Sequence, residues 1–258
     1  LISVVGGDFE KKQIHLLEKH HINCDGLEVI PNGKTFFWSG KYHSNMNFRD
    51  TLVTELNVLA DFNPKIPNNY RDCQYLMLAN LMPSIQLNVI NQLTSPPKLV
   101  VTDTMNYWIE NCLADLLLVI AKTDILIIND EEALELSNES NLIDAAKKIQ
   151  SLGPKFIIIK KGTDGAVLFS KSNTFSCPAF VVKKCIDPTG AGDTFAGAFI
   201  GHLNSSDDLS FNNIKTAVIK ACAMASFCVQ DFGVNNIINR KMGDIQNRIN
   251  TLTNVVKI

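Results

Sequence analysis

The densest run of residues that could do chemistry is Asp187-Pro188-Thr189-Gly190-Ala191-Gly192-Asp193-Thr194-Phe195-Ala196-Gly197-Ala198. Gly190 and Gly192 allow the backbone to approach an anion closely, and the residues after them open a helix. Free N–H groups and the helix dipole converge at such a start, where a terminal phosphate would sit. An Asp in the same turn would repel that anion unless it addresses a third party, such as a substrate hydroxyl, and phosphoryl transfer needs one. A carboxylate at a helix start is expected to have a low pKa. Asp193 is therefore expected to be a weak base in the ground state, orienting the hydroxyl and taking its proton late. The alternative is a glycine-rich turn in which Asp193 only caps the helix.

Two further strings follow apolar runs of strand length. Asn129-Asp130-Glu131-Glu132 comes after 125–128 and reads either as a helix cap with acids in its first turn or as oxygen ligands for a hard cation. Lys160-Lys161-Gly162-Thr163-Asp164-Gly165 comes at the end of 155–160, with glycines suited to a turn.

The elements that must position these residues alternate between strand and helix. Residues 1–5 read as a strand and 9–21 as an amphipathic helix with Ile14, Leu16 and Leu17 on its apolar side. Segments 28–30, 34–39 and 52–59 are β-rich, separated by Pro31-Asn32-Gly33 and a polar stretch at 43–50. They predict a small antiparallel sheet projecting from the main body at 28–60, either an inserted lid or an edge hairpin. From residue 75 the alternation is regular, with strands at 75–79, 98–102, 125–128 and 155–160. Helices are predicted at 84–93, 107–121 and 130–151, giving βαβ units and a mainly parallel sheet. Two or three antiparallel strands follow at 165–182, then helices at 191–203 and 211–230. Ligands of such a sheet bind beyond the carboxyl ends of its strands, which places the chemistry after Ala79, Thr102, Ile128, Lys160 and Cys185.

Bulk properties narrow the function classes. Hydrophobic residues make up 46% of the 258, enough for a sizeable core. A net charge of -2 argues against nucleic acid or an anionic membrane as main partner. The seven cysteines form no C-x-x-C pair, which fits reduced thiols in a cytoplasmic protein. The longest apolar stretch, 113–128, is broken by Asp115, Lys122 and Asp124, and 1–7 lacks the charged start of a signal peptide. The abrupt opening on Leu1 leads us to expect further residues upstream.

The string from Asp187 to Ala198 resembles the signature of the ribokinase family of carbohydrate and nucleoside kinases, which includes fructokinases and adenosine kinases. The resemblance covers the chain as one domain over 1–258 and lacks the family's opening segment, with its substrate-binding Asp and Gly-Gly pair. It implies a three-layer α/β/α domain with a mainly parallel sheet and a β-lid. It also implies that Asp193 is the catalytic base and that the amides of Gly190, Ala191 and Gly192 form an anion hole. Asn129 and Glu132 then organise Mg²⁺, and Lys160, Gly162, Thr163 and Gly165 form the nucleotide loop. The family commonly has Thr where this chain has Lys160, so Lys160 either contacts phosphate or points to solvent. Cys222, Ala225, Ser226 and Gly233 would wall the adenine, unless the first three are core residues at helical spacing. Asp187 and Thr189 would hold a monovalent cation such as K⁺, although Pro188 departs from the usual Thr. Asn80, Asp103 and Asn106 would line the acceptor, with Trp38 closing over it from the lid beside Thr35 and Phe37.

The function implied is Mg²⁺- and ATP-dependent phosphorylation of a hydroxyl on a small sugar. The alternatives are a nucleoside kinase and a non-catalytic sugar or nucleotide sensor. A dinucleotide-binding dehydrogenase and a P-loop kinase both lack their motifs. Unpaired strands at the lid edge would suit a homodimer.

Overall fold

The computed structural model describes residues 1–43, 46 and 49–256, so part of the polar stretch at 43–50 lies outside the described residues. The chain packs as two units, one of Leu1–Gln74 with Met82–Pro97 and one of Tyr75–Leu81 with Lys98–Ile258.

In the first unit, β1 (Ile2–Gly6) and β2 (Gly26–Ile30) are parallel, with Ile2 opposite Gly26, and α1 (Lys11–Lys19) connects them. A parallel pair needs such a crossover. The run at 28–30 therefore belongs with β1, not with the antiparallel strands as expected; a short apolar run does not reveal its partner. The antiparallel pair is β3 (Phe37–Tyr42) and β4 (Arg49–Glu55), with a bulge between Ser39 and Gly40. Asn57–Leu59 is a tight helical turn where strand was expected. The Thr35 hydroxyl accepts from Gly6 N (2.9 Å) and donates to Asp8 Oδ1 (2.6 Å). That side chain thus ties the start of the excursion to β1. The unit also contains α2 (Pro83–Asn91).

The second unit is built on six strands in the order β10-β9-β8-β7-β6-β5. β5 (Tyr75–Leu78), β6 (Leu99–Asp103), β7 (Ile125–Asn129) and β8 (Phe156–Lys160) are parallel, and β9 (Ala166–Phe169) and β10 (Thr174–Cys177) run antiparallel at one edge. Ile125 to Ile128 and Ile157 to Ile159 are wholly buried, as strands covered on both faces must be. Leu99, Val101, Ile125, Ile127 and Ile158 share a core with α7 (Ala191–Ser206), α8 (Phe211–Cys228) and α10 (Met242–Val256). Phe199 and Leu203 of α7 and Val218 of α8 are among its fully buried members on the helical side. Each such side chain stabilises the platform by about 1.5–3 kcal/mol.

The remaining helices are shorter than the hydrophobic pattern suggested. The run 107–121 is two helices, α3 (Asn106–Asn111) and α4 (Leu113–Ile120), broken at Cys112 with φ -136°. The run 130–151 is α5 (Asp130–Ser137) and α6 (Leu142–Gln150). Asn138 ends α5 in the left-handed conformation (φ 52°), and the Asn141 side chain caps α6. A four-residue helix, α9 (Asn235–Ile238), precedes α10. All seven cysteines are free thiols. Among the described residues no helix is long and apolar enough to cross a membrane.

Candidate active site

Three neighbouring parallel strands end in polar side chains: Asp103 on β6, Asn129 on β7 and Lys160 on β8. Register sets Asn129 beside Lys160. Strands lie about 4.8 Å apart, so the long Lys160 side chain can reach across β7, and its Nζ stands 3.2 Å from Asp103 Oδ1. Both side chains are largely buried, with 19% and 8% exposed. The ammonium also lies 3.2 Å from the point where a Cβ on Gly192 would be. It therefore rests against the first turn of α7, in space that a side chain at 192 would take.

α7 begins at Ala191 with Gly190 as its cap at φ 81°, a conformation that favours glycine. Asp193 lies in this first turn and remains accessible. Its carboxyl is raised above the usual range, first by desolvation from the surrounding protein and then by the Asp103 charge, against Lys160 and the backbone. This corrects the expectation of a low pKa. The helix dipole is outweighed by crowding and a like charge from another strand, so Asp193 is a stronger base than a surface Asp. Burial pulls the Lys160 ammonium pKa down, but Asp103, Glu132 and Asp193 outweigh it and hold the group above its ordinary value. Lys160 is therefore charged, and it does not point to solvent.

Asn129 and Glu132 form a reciprocal cap. Glu132 N donates to Asn129 Oδ1 (2.7 Å) and Asn129 N donates to Glu132 Oε2 (2.8 Å). The buried Glu132 is thus fixed at the carboxyl end of β7 before any cation arrives. Among the described residues no group of three or more His, Cys, Asp or Glu is placed to hold a metal. Mg²⁺ commonly takes one or two carboxylates, several waters and substrate phosphates. A single fixed carboxylate facing Lys160 at the start of α7 fits that habit.

The residues expected to form a nucleotide loop make one tight turn. Lys161 N donates to Gly165 O at 2.7 Å, around the helical turn Gly162–Asp164, which leaves Thr163 exposed. Gly165 has φ 91°, and a Cβ there would stand 2.1 Å from Cys177 O. The residues expected to wall an adenine are placed differently from one another. Cys222 is buried in the core beside Cys177, and that contact with burial holds its thiol well above the usual range. Ser226 Oγ donates to Ala223 O (2.6 Å) and accepts from Arg248 Nη1 (2.6 Å). Arg248 also lies 3.5 Å over the Phe227 ring, a partnership with α10 that spacing along α8 does not reveal. Ala225 packs against the core, while Gly233 stands open at φ 57° with nothing within 4 Å of a Cβ.

Asp187 Oδ1 accepts from Thr189 N (2.9 Å), Ile186 N donates to Val229 O (2.7 Å), and the Cys228 thiol donates to Thr189 O (3.5 Å). These bonds lace the glycine-rich approach to the end of α8. On the acceptor side, Asn80 accepts from the Trp108 indole (2.8 Å) and Asn106 donates to Glu135 (2.5 Å). Asp103 faces Lys160 instead. Trp38 belongs to the first unit, where its indole donates to Thr51 Oγ1 at 3.3 Å. The structure thus gathers Asp103, Glu132, Lys160, Gly192 and Asp193 in one place. The Asp103–Lys160 pairing was missed, though a polar residue ending each strand on either side of β7 was a readable signal.

A glycine-opened helix start with an ammonium and an accessible carboxylate beside it is an arrangement that could serve phosphoryl transfer. The chain belongs to the pfkB family of carbohydrate kinases, whose model matches residues 1–241. It is similar to a cytidine kinase of Thermococcus kodakarensis, at 29% identity over 78% of this chain and 72% of that one. A ribokinase of Staphylococcus aureus is 34% identical over 43% of this chain but only 36% of its own length. Among solved structures, a candidate ribokinase II of E. coli in complex with ATP and Mg²⁺ superposes with a TM-score of 0.78. That match covers 97% of this chain and 82% of that one at 23% identity, and it shows the same ribokinase-like fold.

Proposed function

We propose that the chain transfers the terminal phosphoryl group of ATP to a hydroxyl of a small sugar. The observation that carries this reading is the convergence of Gly190, Gly192, Asp193 and the Lys160 ammonium at the start of α7. The amides of Gly190 and Gly192 receive the phosphoryl oxygens, whereas that of Ala191, expected beside them, already donates to Pro188 O (3.1 Å). The turn closed by Lys161 and Gly165, with Gly162 and Thr163, holds the nucleotide. Asp193 orients the acceptor hydroxyl and takes its proton. Glu132 would hold the water shell of a Mg²⁺ that, when bound with the nucleotide, would supply neutralisation of phosphate charge. The Gly190 and Gly192 amides at the helix start are in place to meet charge developing on the transferred group.

A second reading, in which the hydroxyl belongs to the ribose of a nucleoside, is favoured by the match to a cytidine kinase over most of both chains. ADP release with Mg–ATP, measured with and without K⁺ against pentoses, hexoses and nucleosides, tests both. Release dependent on a free sugar supports the first reading, and release with nucleosides alone supports the second. Nucleotide binding with no acceptor-dependent release would mark a sensor and overturn both.

Glu132→Gln is expected to raise the Mg²⁺ needed for half-maximal rate by about tenfold, through loss of a charge-assisted contact. Glutamine serves equally at this position of the cap, so the fold should stand. A Mg²⁺ titration that superposes on the wild type would leave Glu132 a cap alone.

A further inference from the structure

Resting on that proposed reaction, we infer that Lys160 is a catalytic residue whose ammonium moves from Asp103 to the transferred phosphoryl group, with Asp103 as the positioning residue that holds it until then. The ammonium is already at the right place. Its Nζ is 3.2 Å from Asp103 Oδ1 and equally close to the empty side-chain position of Gly192, in the turn where the anion would bind.

The charges facing this ammonium come from three elements. Asp103 ends β6, Glu132 lies in the first turn of α5 and Asp193 in the first turn of α7. Three carboxylates around one ammonium make an unwelcoming place for a polyphosphate, so the ammonium is the side-chain cation there on which anion binding can draw, beside the helix-start amides. A buried charge pair gains little for stability by itself, because desolvation offsets much of the attraction. Its use is to keep a charged lysine desolvated and ready. Lysine suits the exchange: a compact charge on a stem with several rotatable bonds can turn from a carboxylate to a phosphoryl oxygen without moving the backbone.

A purely structural pair predicts something different, namely a loss of folded protein on mutation and no change in the preference between nucleotides. Calorimetric binding of Mg–ATP and Mg–ADP therefore separates the two. Lys160→Met should bind Mg–ATP about tenfold to a hundredfold more weakly, the worth of a charge-assisted hydrogen bond. Its Mg–ADP affinity should stay within about twofold, because the contact is to the group that ADP lacks. Asp103→Asn should do the opposite and strengthen Mg–ATP relative to Mg–ADP several-fold, since the ammonium is no longer held back. The double variant Lys160→Met/Asp103→Asn removes both charges together. It should again show no preference for ATP, and it keeps the measurement available if Lys160→Met alone does not fold. An ATP-to-ADP preference unchanged by Lys160→Met, or by the double variant, would overturn the role of Lys160. An unchanged preference in Asp103→Asn would overturn that of Asp103. Wild-type protein that binds neither nucleotide would overturn this inference and the proposed function together, whereas intact binding with unchanged preference overturns the inference alone.

Discussion

Asp193→Asn is expected to lower turnover about a thousandfold or more while leaving Mg–ATP affinity within about threefold, the range in which a lost general base acts. Asparagine keeps the shape at the start of α7 but cannot take the acceptor's proton. Removing a negative charge near a polyanion does not weaken nucleotide binding, so the loss should fall on turnover. The pH dependence has a definite sign. Asp193 must be ionised to act, and its pKa is raised above that of an ordinary Asp by desolvation and by Asp103. Turnover of the wild type should therefore fall as pH drops through that raised value, giving an acid limb at higher pH than an unperturbed carboxylate would. The residual activity of Asp193→Asn should lack this limb. A raised pKa also means that ionisation disfavours the folded state as pH rises through it. The variant should thus melt at or above the wild-type temperature at neutral pH, which separates lost chemistry from lost structure. Turnover within tenfold of wild type would remove Asp193 from the role of base.

Gly165→Ala is expected to destabilise the chain by about 3 kcal/mol or more, well beyond an ordinary surface change. Two causes act together. The backbone there is at φ 91° and ψ -130°, a region essentially confined to glycine. A Cβ would also lie 2.1 Å from Cys177 O and 2.5 Å from the carbonyl carbon of Pro178, both backbone atoms that cannot swing away. The β8–β9 turn would have to open, breaking the bond from Lys161 N to Gly165 O and with it the proposed nucleotide loop. Gly233→Ala provides the comparison. Its φ of 57° is also left-handed, but nothing lies within 4 Å of the added carbon, so it should cost only about 1 kcal/mol. Denaturant unfolding of the two variants beside the wild type checks the contrast. Equal midpoints for both glycine variants would mean that crowding around Gly165 is not what holds the turn.

Much of this molecule is written in short stretches of its chain. Strands β5 to β8 are readable because parallel strands buried on both faces are continuous apolar runs, and Ile125 to Ile128 and Ile157 to Ile159 are such runs. The starts of α7 and α8 and the string from Asp187 to Ala198 are readable for the same reason: caps, glycines and helical periodicity act over a few neighbouring residues. The cap of Asn129 and Glu132 is equally local, three residues apart on one turn.

What the sequence could not determine depends on neighbours brought from elsewhere. The run ending at Ile30 reads as strand, but its parallel pairing with β1 follows from the crossover through α1. Cys222 and Ser226 lie on a helix that is apolar nearly all round, so periodicity does not say that one meets Cys177 and the other Arg248. The pairing of Lys160 with Asp103 spans 57 residues of chain and exists because β6 and β8 flank β7. The sign of the Asp193 shift was misread for the same reason. Its position in the helix is local, but its desolvation and the Asp103 charge are not. Types and spacings of residues are fixed by covalent order, whereas burial and charge proximity, which set acidity and readiness to react, arise only when distant strands are laid side by side.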